Sequence, residues 1–431
     1  MSKQAVLVKK YGGTSVGSPQ RIRKVAADLA GDHQRGLSQV VVVSAMARTT
    51  DRLLALAREV SNRPHPRELD MLLATGEQVS IALLAMAMHE RGVEAVSLTG
   101  AQCGIVTDGN FSRARIRAIR TDRIEERLRA GHVVFVAGFQ GVTDSDEITT
   151  LGRGGSDTTA TALAAALGAS RCQIFTDVEG VFTADPRIVP EARLLPFISY
   201  SEMLEYAASG SKVLHPRCVE IANRHQVPLQ VLSSFAGSGQ GAAGQGTTVV
   251  KEDQVEKVSV TGVTYESDIA RVALTRVRDF PGVAALISER LAQAGINIRL
   301  IIQGLRHDQS NDVSLVVDRD SADRALQVLQ EAAPQVGAEK VEVDREAGVV
   351  AIIGSGVASV PGVAATFFRA LADEGINIEL ISSSEVRIAC IIRAADLKAA
   401  VRSVHHAFKL DQVERRLRRP PAEDGQEEQA P

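Results

Sequence analysis

Two glycine-rich loops in this chain place charged side chains beside backbone that can approach an anion. The first, Lys10-Tyr11-Gly12-Gly13-Thr14-Ser15-Val16, follows the apolar run Ala5 to Val8 and precedes an amphipathic stretch, Arg21 to Ala30. Glycines at a strand-to-helix turn let N–H groups close on phosphate oxygens, and Lys10 adds a mobile positive charge. Such a turn also serves plain loop geometry. The second, Gly152-Arg153-Gly154-Gly155-Ser156-Asp157-Thr158-Thr159, opens another helical stretch, Thr158 to Leu167, whose N-terminal dipole favours an anion. Arg153 can grip a carboxylate bidentately, Ser156 can donate a hydrogen bond, and Asp157 can orient a cation. The alternative is that Asp157 and Thr158 cap the helix. A third segment, Thr176 to Arg187, offers Asp177, Phe182, Asp185 and Arg187, groups suited to ribose, adenine and phosphate. Its Asp185-Pro186 step is equally ordinary turn chemistry. Two such loops in one sheet point to phosphate handling.

The elements that must hold these loops alternate. Apolar runs at Ala5 to Val8, Val40 to Val43, Val133 to Ala137 and Gln173 to Thr176 lack polar alternation, which predicts strands buried on both faces. Amphipathic stretches at Arg21 to Ala30, Arg52 to Val60 and Leu69 to His89 predict covering helices, so the first half reads as a mostly parallel α/β sheet sandwiched by helices. Between Ser233 and Thr248 five glycines crowd together, predicting a flexible link or surface loop. Beyond it lies a repeat. Pro281-Gly282-Val283-Ala284-Ala285 recurs as Pro361-Gly362-Val363-Ala364-Ala365, and Gly295-Ile296-Asn297-Ile298 as Gly375-Ile376-Asn377-Ile378, both eighty residues on. Each copy reads strand, Pro-Gly turn, helix, strand, strand, helix, a ferredoxin-like α+β unit. The expected divisions are 1–248 for the catalytic half, 262–345 and 346–418 for the repeats, and 419–431 for a disordered tail.

Composition excludes several classes. With 431 residues the chain exceeds one ordinary core. The net charge of −3, and clustered arginines such as Arg113, Arg115, Arg117, Arg120 and Arg123 without interleaved aromatics, point away from nucleic acid. No uncharged stretch approaches the roughly 20 residues that cross a bilayer, so the expectation is a cytoplasmic protein with no membrane partner. Cys103, Cys172, Cys218 and Cys390 are widely spaced, predicting buried free thiols rather than a metal or disulfide framework.

Taken together, the Lys10 loop, Ser44-Ala45-Met46, Gly76-Glu77-Gln78-Val79-Ser80, the Arg153 loop, the Asp177 segment and Gly210-Ser211-Lys212-Val213-Leu214-His215-Pro216 closely resemble aspartokinase of the amino-acid kinase superfamily. The repeat resembles paired ACT domains. The resemblance implies transfer of the ATP γ-phosphoryl group to the side-chain carboxylate of L-aspartate, the entry step to lysine, threonine and methionine. It implies Lys10 as the charge at the transferring group, with the N–H groups of Gly12, Gly13 and Gly155 beside it and Asp157 holding the lysine. Arg153 is implied for the substrate α-carboxylate and Glu77 for its α-amino group, with Ser44, Thr50, Gly154, Gly155 and Ser156 completing the pocket. For ATP with Mg2+ it points to Lys10, Tyr11, Gly12, Gly13, Thr176, Asp177, Phe182, Asp185, Arg187 and Lys212, the metal bridging phosphates rather than sitting in a protein cage. Phe182 stands where Tyr is expected and Lys9 where Gln is usual; register makes Lys10 the catalytic lysine.

In the repeats the resemblance implies effector contacts at Asp279, Asn297, Gln303, Asn377, Ile378, Ser384 and Glu385, and a homodimer or larger homo-oligomer through these domains. Arg299 replaces an Asp, and Ala364 a Thr, of lysine-and-threonine-regulated relatives. A cation at 299 facing the lysine ε-ammonium predicts threonine as the retained effector, with lysine bound weakly or differently. Other kinases of the superfamily share the glycine loops but lack this combination with the repeat. A sensor that had lost catalysis would show an eroded set, whereas Lys10, Glu77, Arg153 and Asp157 are all present.

Overall fold

The computed structural model describes residues 5–211, 213–235, 246–255, 259–305 and 310–412. These form two compact units. In the first the chain runs β1 (Val6–Tyr11), α1 (Pro19–Gln34), β2 (Ser38–Val43), α2 (Thr49–Val60), α3 (Pro66–Leu73), α4 (Thr75–His89) and β3 (Ala95–Leu98). It continues through β4 (Ile105–Thr107), β5 (Ile116–Ile119), α5 (Asp122–Arg129), β6 (Val133–Ala137), β7 (Gln140–Val142), β8 (Ile148–Thr150), α6 (Gly155–Leu167) and β9 (Arg171–Thr176). It closes with β10 (Phe197–Ser199), α7 (Tyr200–Ala208), α8 (Pro216–His225), β11 (Leu229–Ser233) and β12 (Thr247–Val250).

Eight of these strands form one sheet in the order β10-β12-β11-β9-β1-β2-β6-β3, parallel at every pairing except β11 with β12. The central strands are valine-rich and closed to solvent: Val40, Val41, Val42 and Val43 are all fully buried. That is the burial on both faces that unbroken apolar runs require. Four short strands form a second sheet, β5-β4-β7-β8. Helix starts follow local chemistry. Ser18 Oγ accepts from Arg21 N at 3.3 Å with Pro19 at the first position, and α7 opens on a capping box between Ser199 and Glu202.

The second unit contains β13 (Gly262–Glu266), β14 (Ile269–Arg278), α9 (Val283–Gln293), β15 (Leu300–Leu305), β16 (Ser310–Asp318), α10 (Ala322–Val336) and β17 (Lys340–Asp344). There follow β18 (Ala347–Ile353), α11 (Val363–Asp373), β19 (Leu380–Ser383), β20 (Arg387–Arg393) and α12 (Leu397–Ala407). The expected strand-helix-strand-strand-helix order appears twice, and the two antiparallel sheets run β15-β16-β14-β17 and β13-β18-β20-β19.

Two boundaries differ from expectation. β13 pairs with β18, so residues 262–266 complete the sheet of the second repeat rather than the first. Thr183–Arg193, assigned by sequence to the catalytic half, belongs to the second unit. Its apolar positions Ala184, Ile188 and Val189 join the core around Phe367 and Val401, and burial of those side chains outweighs sequence adjacency. The glycine-rich segment after Ser233 joins β11 to β12, two paired strands of one sheet, within the 1–248 division expected. Its central residues, like the tail from 413, lie outside the described residues.

Among the described residues only Pro66–His89 is long and apolar enough to cross a membrane, and over half of it is buried inside the protein. Phe367 is fully buried where Thr183–Arg193 meets the second repeat. Phe367→Ala should therefore cost about 3–5 kcal/mol of unfolding free energy in urea titrations, with an unchanged midpoint counting against this core.

Candidate active site

Strand alternation decides the fate of the two adjacent lysines. Side chains at consecutive positions of β1 leave opposite faces of the sheet. Lys9 is buried against Asp32 of α1, its pKa lowered by burial. Lys10 emerges on the other face, where its Nζ lies 2.6 Å from Asp157 Oδ1 on the first turn of α6. Asp157 thus pairs with a lysine, and α6 is capped instead by Gly154, without a side-chain bond. Both members of the pair are mostly enclosed, which makes their attraction stronger than at an open surface.

Around this pair lies a cavity of about 310 Å3, lined by Lys10, Gly13, Ser44, Ala45, Ala47, Thr50, Glu77, Phe139 and residues 152–157. It sits at the carboxyl ends of adjacent parallel strands β1, β2 and β6, where loops from a doubly covered sheet converge. Backbone bonds lock these loops together. Ser44 N donates to Tyr11 O at 3.1 Å, Ala47 N to Gly13 O at 3.0 Å, and Gly138 N to Val43 O at 3.0 Å. A Cβ on Gly13 would stand 2.7 Å from Ala45 O, so only glycine permits this approach. Gly154 is left-handed at φ 67°, and a Cβ there would lie 2.3 Å from the His215 ring. Ala47 and Phe139 are also left-handed, at φ 45° and 70°, backbone conformations that store strain beside functional sites.

Glu77 enters from the first turn of α4 and is 3% exposed. Its Oε1 accepts from Ala45 N at 3.0 Å, while Oε2 is buried with no partner among the described residues. Burial raises its pKa to about 7. Arg153, at the rim, has no ion-pair partner among the described residues. The cavity therefore presents a compensated lysine, an unpaired guanidinium, a glutamate whose ionisation burial opposes, and the N–H groups of Ser156 and Asp157.

The structure brings together Lys10, Gly13, Ser44, Thr50, Glu77, Arg153, Gly154, Gly155, Ser156 and Asp157. It revises others. Tyr11 is 4% exposed and stacks on Phe175 at 4.6 Å, so its ring belongs to the core rather than to a nucleotide site. Gly12 N already donates to Phe175 O at 3.3 Å and Gly155 N to Gly152 O at 3.0 Å, which removes two of the three N–H groups expected at the phosphoryl group. Asp185 is held by Arg187, with Nη2 to Oδ2 at 2.7 Å, and by Tyr265 OH at 3.1 Å; Arg187 foremost holds its pKa below the usual carboxylate range. Thr176 Oγ1 donates to Asp177 Oδ1 at 3.1 Å, and Phe182 bridges Leu194. Lys212 lies outside the described residues. In the repeats Asp279, Asn297, Gln303, Asn377, Ser384 and Glu385 are exposed, and Ile378 is half-buried.

Sequence reasoning missed Phe139, whose only signal is an aromatic residue leaving a buried strand between Gly138 and Gly141. It also missed Asp70. Fully buried on α3, its carboxylate accepts from Ser112 N and Thr150 N, both at 2.8 Å, and from both hydroxyls. That anchors the strand end feeding the Arg153 loop.

Comparison with known proteins agrees with this geometry. The amino acid kinase family matches residues 5–233, and the ACT domain matches 275–333 and 350–408. Aspartate kinase of Stutzerimonas stutzeri is 47% identical over 94% of this chain and 98% of its own length. Aspartokinase of Geobacillus stearothermophilus is 49% identical over 94% and 97%. The chain belongs to the aspartokinase family. A solved aspartokinase III of E. coli, in complex with aspartate and ADP, superposes with a TM-score of 0.80 at 27% identity, covering 93% of this chain and 99% of that one. This aspartokinase is accordingly an aspartate kinase with an amino-acid kinase fold and C-terminal ACT domains.

Glu77 gives a sign-definite test. Its folded pKa lies above the ordinary 4.5, so the protonated form is favoured by folding. That contribution is complete at low pH and lost as pH rises from about 4.5 through about 7. Glu77→Gln removes it, so the unfolding free energy of the variant should gain on wild type between about pH 5 and about pH 8, by up to about 3 kcal/mol. A pH-independent difference would refute burial as the cause.

Proposed function

We propose that the cavity at Lys10 binds L-aspartate by its ends and presents the β-carboxylate to ATP. The observation that carries this reading is the convergence of the Lys10–Asp157 pair, the free Arg153 guanidinium and the unpartnered Glu77 Oε2 on one cavity. Arg153 takes the α-carboxylate and Glu77 the α-ammonium, an ion pair that draws Glu77 to its charged form. Ser44, Thr50 and Ser156 supply polar contacts along the cavity wall.

The β-carboxylate, with an ordinary pKa of about 3.9, is already ionised and needs no base. One of its oxygens bonds to the γ-phosphorus, the bond from phosphorus to the β,γ-bridging oxygen breaks, and ADP leaves with that electron pair. No proton moves. The barrier is charge repulsion, so Lys10 acts by neutralising the transferring group while Asp157 fixes its position. The N–H groups of Gly13, Ser156 and Asp157 remain as donors.

In this reading Mg2+ would be carried by the phosphate oxygens of ATP and would supply further charge neutralisation there. Thr176, Asp177, Phe182 and Lys212 are the nucleotide residues carried over from the resemblance, together with Asp185 and Arg187 once their mutual pair opens. The reaction begins lysine, threonine and methionine synthesis in the cytoplasm.

Regulation through the repeats belongs to the same reading. β15 and β19 are edge strands, and Ile301 and Ile381, eighty residues apart, are 41% and 48% exposed on them, surfaces fit to pair in a homodimer or larger assembly. Arg299 changes the argument about lysine. Its guanidinium is held by Glu266 at 2.5 Å and Asp318 at 3.2 Å, so it is no bare repelling cation. It occupies the acidic groups that an ε-ammonium would need.

Two tests follow from these assignments. In a hydroxamate assay with ATP, Mg2+ and L-aspartate, Lys10→Ala should lose activity by about a thousandfold or more, while Lys9→Gln keeps activity within about tenfold. Equal losses would end the distinction between the lysines. Threonine should inhibit the enzyme and lysine alone should not; strong inhibition by lysine alone would sink the Arg299 reading.

A further inference from the structure

Arg153 owes its place to the two residues before Gly152. Its side chain has no ion-pair partner among the described residues, and the glycines on either side of it, left-handed at φ 76° and 67°, bring no side chain to brace it. Thr150 and Leu151, by contrast, have every backbone polar group bonded to another segment. Thr150 N donates to Asp70 Oδ2 and Leu151 N to Phe139 O, both at 2.8 Å, while Thr150 O accepts from Ala114 N at 2.9 Å. Leu151 O accepts from Arg217 Nη1 at 3.2 Å.

Arg217, at the second position of α8, sends its other terminal nitrogen, Nη2, to Ala114 O at 2.8 Å, so one guanidinium joins the carbonyls of both segments. Asp70 of α3 does the converse with a carboxylate, collecting the N–H and the hydroxyl of Thr150 and of Ser112. The segments 112–114 and 150–151 are thus held at their donors by an anion and at their acceptors by a cation. Charge-assisted bonds of this kind are roughly twice as strong as neutral ones. The start of α8 is fixed by local chemistry. Pro216 occupies its first position, His215 Nδ1 accepts from Arg217 N at 3.3 Å, and the His215 ring lies so near Gly154 that a Cβ there would stand 2.3 Å from it.

Asp157 is placed independently. It stands beyond left-handed Gly154 on α6, whose first turn is fixed by the buried Thr158 and Thr159, the latter's Oγ1 accepting from Phe139 N at 3.2 Å. Displacing Leu151 therefore moves the Arg153 guanidinium more than it moves the Lys10–Asp157 pair.

We propose that Arg217, with Asp70, is a positioning residue for L-aspartate: it holds Leu151 O so that Arg153 meets the α-carboxylate, and it acts on substrate affinity rather than on phosphoryl transfer. This role rests on the aspartate reading above, in which Arg153 takes the α-carboxylate. That group is not the one that reacts, so its contact holds ground state and transition state alike, and its loss appears in KM.

The test measures hydroxamate formation by the full chain with L-aspartate and ATP varied in turn. It also measures competition by the α-amide of L-aspartate, which keeps the ammonium and the β-carboxylate but lacks the α charge. R217M should raise the KM for L-aspartate by about tenfold or more, the loss expected when a hydrogen bond to a charged group is removed, with kcat and the KM for ATP within about threefold of wild type. R217K, which can reach one carbonyl, should recover part of the loss. D70N, which keeps an oxygen for the two N–H groups, should move the same constant in the same direction. Wild type and R217M should hold the α-amide equally. An unchanged aspartate KM in R217M overturns the positioning role. Equal weakening of aspartate and ATP, or of aspartate and its α-amide, overturns it too, because a merely structural loss spares neither. Should R217M fail to fold, the same outcomes are read from R217K. If R153A leaves the aspartate KM unaltered, the α-carboxylate assignment itself falls, and this inference with it.

Discussion

The ion pair between Lys10 and Asp157 sets the terms for the catalytic unit. A lysine at the end of a fully buried strand and an aspartate on the first helical turn across from it can meet only if the intervening backbone is thin. Glycine supplies that at Gly13, where any Cβ would strike Ala45 O, and at Gly154, where it would strike His215. Parallel neighbours β2 and β9 flank β1 on both sides. Once the pair is formed, α6 no longer needs Asp157 as a cap and begins instead on a left-handed glycine. Beside the pair stand an enclosed glutamate with one oxygen unpartnered among the described residues and a solvent-exposed guanidinium at the rim.

The regulatory unit solves a similar problem with different residues. Its repeats share backbone but not charge. Arg299 crosses to Glu266 in the sheet of the second repeat, and Glu379, at the position equivalent to Arg299, meets Arg271 from the first at 3.3 Å. Ile269 and Val316 from one sheet pack with Val349, Ala351 and Ile391 from the other. Residues of opposite sign at equivalent positions therefore tie the repeats together. Docking of Thr183–Arg193 into the same unit extends this, since Thr183 Oγ1 meets the buried His405 at 3.0 Å. A segment that resemblance assigns to nucleotide binding is built into the core of the regulatory domains.

Much of this was legible in the chain itself. Periodicity located the valine strands and the helices of the catalytic half, because burial on both faces leaves no polar alternation. The eighty-residue repeat pointed to two like units, while the roles expected of Lys10, Glu77, Arg153 and Asp157 came with the family resemblance rather than from their residue types alone. What sequence could not carry were contacts between distant segments. β13 joined the later sheet, Thr183–Arg193 left the unit that surrounds it in sequence, and Tyr11 turned into the core. In each case burial of apolar area in three dimensions outweighed adjacency along the chain. The pairing of Arg299 with two acids, the orphaned oxygen of Glu77, and the anchoring carboxylate of Asp70 are likewise tertiary facts. A sequence determines which groups are available; only the packed fold determines which of them already have partners and which are left to bind a ligand.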